Sequence, residues 1–130
     1  MANLKLIEVR DVGTDKEMVF MRATKDLDLG DYIVTDTTYR STGATSNKLR
    51  HVFEFPTHAV KEGQYVALYS AVGTNKLSET VGPPKIPVHV FYWNLKERIW
   101  NQTGDRAYLL YAPKQERQTV AVPEVKLKAK

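Results

Sequence analysis

The chain has 130 residues, enough for one sizeable core and too few for two. With 42% hydrophobic and 26% charged residues it has the composition of a folded domain, and its lack of cysteine rules out disulfides, thiolate zinc sites and cysteine nucleophiles. The net charge of +4 permits an anionic partner without demanding one, and no apolar run approaches the roughly 20 residues of a membrane helix. Met1-Ala2-Asn3-Leu4-Lys5 runs directly into strand-like alternation without the apolar core of a signal peptide, which favours a cytoplasmic location.

Leu4 to Arg10 alternates apolar and polar residues, the pattern of a half-buried strand. After the turn-rich Asp11-Val12-Gly13-Thr14-Asp15, the run Met18 to Ala23 opens apolar on both faces, as an interior strand does. Thr24 to Asp31 is a connection that turns Leu27 or Leu29 inward, and Tyr32 to Thr38 is a further strand. Tyr39 to Lys48 is a polar loop, and Leu49 to Phe55 returns to strand until Pro56 stops it. Val60 to Gln64 turns into the strand Tyr65 to Ser70, and a second loop covers Gly73 to Pro87, stiffened by Gly82-Pro83-Pro84.

Val88 to Asn94 and Ile99 to Tyr111 hold both tryptophans and are rich in β-branched and aromatic residues. The polar Asn101-Gln102-Thr103-Gly104-Asp105 supplies turn chemistry, so the region reads as a central β-hairpin with Trp100 beside its turn. Gln118 to Val122 adds a short edge strand, and residues 123–130 form a flexible basic tail. About eight short strands and no helix longer than a turn predict an all-β domain over residues 1–122, an antiparallel β-sandwich, with a closed barrel as the alternative.

Three segments resemble the lamin tail domain, in the family's order and spacing. Leu27 to Asp36 is similar to its "dLsgW.L.D" segment, and Phe53-Glu54-Phe55-Pro56 with Val60 to Val66 to its "y.FP…l.pG..v" segment. Ile99 to Leu110 is similar to "vWnn.gD.a.L". The chain departs from the family at Asp31-Tyr32, where a tryptophan follows glycine, at Ala23-Thr24, where an asparagine is usual, and at Ala112 to Gln115, where an Asp-x-x-Gly turn stands. The resemblance, to the bacterial type of the family, implies an immunoglobulin-like sandwich and a non-enzymatic module for protein and chromatin contacts. Bacterial relatives of this kind often accompany enzymatic or surface-attached domains.

Asp26, Asp28, Asp31 and Asp36 raise the possibility of calcium, but they miss the EF-hand spacing and are interrupted by core-type leucines, so they read as turn and cap carboxylates. His51, His58 and His89 fall on separate elements without a short ligand pair, which argues for histidines without metal. There is no nucleophile elbow for a catalytic triad, and the scattered glycines make no phosphate cradle, so neither a catalytic centre nor a cofactor is expected. Trp100, Asn101, Gly104 and Asp105 read as a structural motif, with the indole as a core plug and Asp105 holding the turn.

Lys48, Arg50, Lys61, Lys76, Lys85, Lys96, Arg98, Arg106, Lys114 and Arg117, interleaved with tyrosines, could make a basic face for nucleic acid, though acids are interspersed and no nucleic-acid module signature accompanies them. The expectation is a non-catalytic binding or scaffolding module for a protein partner, with Tyr39, Arg40 and Lys48 of the first loop, Lys76 and Lys85 of the second, and Arg98 as contact residues. Nucleic-acid binding, or an accessory role beside a separate enzyme, are the alternatives.

Overall fold

A computed structural model describes residues 2–37, 51–100 and 106–123. The protein is an all-β sandwich of two packed sheets. The larger sheet runs β1 (Leu4–Arg10), β2 (Met18–Ala23), β7 (Tyr65–Tyr69), β9 (Pro87–Tyr92), β8 (Lys76–Glu79) in spatial order. The smaller one runs β10 (Arg106–Tyr111), β4 (Tyr32–Thr37), β5 (Val52–Glu54). A two-residue ladder pairs β3 (Leu27–Asp28) with β6 (Ala59–Val60).

Side-chain alternation explains which faces meet. In β1 a bulge between Leu6 and Glu8 inserts Ile7, resetting the phase so that Leu4, Leu6 and Val9 all reach the core. Val19, Met21 and Ala23 of β2 join them with Val66 and Leu68 of β7 and Phe91 of β9. The small sheet answers with Tyr32 and Val34 of β4, Phe53 of β5, and Ala107 and Leu109 of β10. Leu29, in a single 3₁₀ turn (Leu29–Asp31), is fully buried and Leu27 packs beside it, so both leucines of the connection turn inward.

Four expectations are corrected. The central hairpin does not form: β9 lies in the large sheet while β10 pairs with β4 in the other, so the two tryptophan-flanking runs belong to different sheets. Aromatic and β-branched content marks a strand but says nothing about its neighbour. The large sheet is also not wholly antiparallel, because β7 and β9 run parallel, with β8 inserted between them in sequence and outside β9 in space. Strand β8 lies inside the stretch expected to be loop, and the short β6 ends on Val60, the first residue of the expected turn. Gln118 to Val122 is not a strand; its valines stand exposed.

Candidate functional site

Of the expected contact residues, Tyr39, Arg40 and Lys48 lie outside the described residues, as do Asn101, Gly104 and Asp105 of the structural motif. Lys76 begins β8, and Lys85 pairs with Glu79 at the far end of that strand at 3.6 Å. Arg98 lies elsewhere, on the wall of a cavity shared with Lys96 and Leu95. Trp100 is 3% exposed and packs edge-on to Trp93 at 6.4 Å, a core residue as expected.

All four aspartates accept hydrogen bonds, but only Asp28 caps a local turn; Asp26, Asp31 and Asp36 tie distant segments together. Asp28 accepts from the N–H groups of Gly30 and His58 at 2.8 and 3.0 Å, tying the 3₁₀ turn to the segment before β6. Burial opposes its ionisation, yet those N–H groups and the Lys114 ammonium hold its carboxyl below the usual range. Asp26 accepts from Glu62 N–H, Asp31 from Lys114 N–H, and Asp36 from the His51 main chain and imidazole. No group of three or more metal-ligating side chains exists among the described residues.

Two of the histidines do meet. His58 Nε2 lies 2.8 Å from His89 Nδ1, and His89 Nε2 lies 2.8 Å from Gln64 Oε1. Because that amide oxygen also accepts from Lys61 N–H, His89 donates to it from Nε2 and accepts from His58 through Nδ1. Burial first, and then the facing His58 charge, lower the His89 pKa below the ordinary imidazole range. The pair lines a pocket of about 270 Å³ together with Pro56, Lys76, Leu77 and Phe91.

A second feature escaped sequence reading. Glu17, 1% exposed, accepts from Gly13 N–H through Oε1 and from Ile99 and Trp100 N–H through Oε2, at 3.1, 3.0 and 3.4 Å. Its carboxylate joins the turn before β2 to the segment carrying Trp100. It also borders a cavity of about 380 Å³, where the buried Ser70 hydroxyl has no hydrogen-bond partner among the described residues. Three backbone donors satisfy Glu17, so its role is structural.

The outer face of the large sheet is the most distinctive surface. Along β2, β7 and β9 the residues on the side away from the inter-sheet core are Met18, Phe20 and Arg22; Tyr65, Ala67 and Tyr69; and Val88, Val90 and Tyr92, of which Met18, Phe20, Ala67 and Val90 are buried beneath half-buried tyrosines and Val88. Phe20 stacks on Tyr65 at 5.0 Å and 22°, and Tyr69 on Tyr92 at 5.3 Å and 20°. The Arg10 guanidinium lies 4.2 Å from the centre of Phe20 and that of Arg22 lies 6.0 Å from Tyr65. Gly73 packs against the Tyr92 ring so closely that a Cβ there would come within 2.5 Å of it. Burial, reinforced by Tyr92 and Asp11, pushes the Tyr69 pKa up, keeping its hydroxyl neutral. None of these β1 and β2 arginines was among the expected basic-face residues; the signal was the alternation Met18-Phe20-Arg22 opposite Tyr65-Ala67-Tyr69, legible only once β2 and β7 are known to pair.

Compared with known proteins, the chain matches no family model, and no curated protein matches it.

Proposed function

We propose that the chain is a non-catalytic binding module, resembling the lamin tail domain, that engages a protein partner through the outer face of its five-stranded sheet. The carrying observation is the set Arg10, Arg22, Tyr65, Tyr69 and Tyr92 gathered over buried Phe20 on that one rigid face. Tyrosine and arginine dominate the energetics of protein interfaces because they present large contact area with few rotors and a polar tip. The same geometry speaks against single-stranded nucleic acid. A base needs a free ring face, whereas these rings stack on one another, with guanidinium groups over Phe20 and Tyr65 and Gly73 against Tyr92.

A photo-crosslinking side chain at Arg22, compared with one at Lys85, tests the reading in cells of the source organism. A discrete protease-sensitive adduct from the Arg22 position, persisting in high salt, is the expected result. An adduct that nuclease removes, or equal labelling from both positions, overturns it.

A further inference from the structure

Strand β8 ends the large sheet, and its hydrogen-bonding phase leaves a row of backbone groups facing outward. Thr80 N–H donates to Ile86 O at 2.9 Å, which makes Thr80, Ser78 and Lys76 the residues bonded to β9. Pro87, which has no N–H, sits opposite Glu79, in keeping with that phase. The N–H and C=O of Leu77 and Glu79 therefore point away from β9, and no described residue pairs with them. Leu77 is 66% exposed, on the same side of the sheet as His89.

We propose that this edge takes an extended peptide as an added strand, with an apolar side chain seated in the pocket beside Leu77 and a carboxylate next to it. The pocket adjoins the edge and is lined by Leu77, Pro56, Phe91, Lys76, His58 and His89, with no carboxylate among its lining residues. Lys76 has no ion-pair partner among the described residues, so the site's own charge calls for an acid. A residue paired with Leu77 on the added strand shares its side of the sheet, and so faces that pocket. A second copy of β8 fits less well: in antiparallel hydrogen-bonding phase Leu77 falls opposite Leu77 or Glu79, and Lys76 never falls opposite Glu79. This site is separate from the outer face and does not depend on it.

The test uses the whole ¹⁵N-labelled chain and a pool of terminally blocked extended heptapeptides, alternating Val and Thr around a central Leu, Ile or Phe flanked by Glu. The expected result is amide shifts and slowed hydrogen exchange centred on Leu77 and Glu79. Affinity should weaken about fivefold in Lys76→Glu, and binding should vanish when the peptide amides on one edge are N-methylated. The methylated peptide probes the unaltered protein, so that arm stands even if a variant folds poorly. The proposal is overturned if no peptide of the pool perturbs Leu77 and Glu79, if N-methylation changes nothing, or if Lys flanks bind as well as Glu flanks.

Discussion

Single residues fix the joints of this sandwich, and their chemistry sets how each should fail. Glu17 satisfies three backbone donors from two distant segments. In Glu17→Gln one side of the fork becomes a donor facing N–H groups, so we expect a loss of about 1–3 kcal/mol in urea unfolding; a change within about 0.5 kcal/mol would show that water replaces the carboxylate. Trp100→Ala should cost about 3–5 kcal/mol by opening a cavity against Trp93, whereas under about 1 kcal/mol would place the indole at the surface. His89 gives the pH dependence. Its folded pKa is depressed, so between the folded and unfolded values the unfolded chain binds more protons. The stability it contributes is complete above the ordinary imidazole value of about 6.5 and is lost as pH falls through the folded pKa. His89→Gln should therefore show a flatter decline of melting temperature on acidification below that value; an unchanged decline would assign the acid sensitivity to other groups. Trp100 was readable as core from its large indole following Ile99 beside an expected turn. Glu17 was not, because nothing local marks a glutamate that bonds residues more than eighty positions away.

At the scale of elements, strands whose apolar residues alternate were legible almost to the residue. Leu4–Arg10 is the clearest case, and Met18–Ala23 was equally legible as a run apolar on both faces. Strand β8 was invisible because all four of its residues are exposed, so no hydrophobic period betrays it; only its pairing with β9 makes it a strand. The hairpin error has the same root: propensity describes one chain segment, while pairing is decided by where the other segments go. The outer-face aromatic columns depend on such pairing, and Gly73 tests them. A methyl there would meet the Tyr92 ring, which Tyr69 backs on its other side, so the ring has no simple retreat. Gly73→Ala should cost about 1–3 kcal/mol, and Tyr92 and Tyr69 should shift together in NMR spectra. A neutral substitution with an undisturbed Tyr69 would mean that the Gly73 loop, and not the column, gives way.

Across the whole molecule, the question is whether a net charge of +4 amounts to a nucleic-acid footprint. Among the described residues of the expected basic face, Lys76 and Lys85 stand by β8, Arg98 borders the cavity near Glu17, and Lys61, Lys85, Lys114 and Arg117 are each paired with a carboxylate, while Lys48 and Arg50 lie outside the described residues. The outer face gathers Lys5, Arg10 and Arg22, with Arg10 bonded to Glu8. Neutralising at most about three phosphates, this surface should give a log–log salt slope no steeper than about −2.7 on duplex DNA, or roughly a 40-fold loss between about 50 and 200 mM salt. Fluorescence anisotropy of a labelled duplex at those two salts measures it directly. Weak binding with that shallow slope, or none at the lower salt, leaves the outer face as a protein-contact surface. A slope near −6 or steeper would require twice as many phosphate contacts as the face supplies, and would replace the protein partner with nucleic acid.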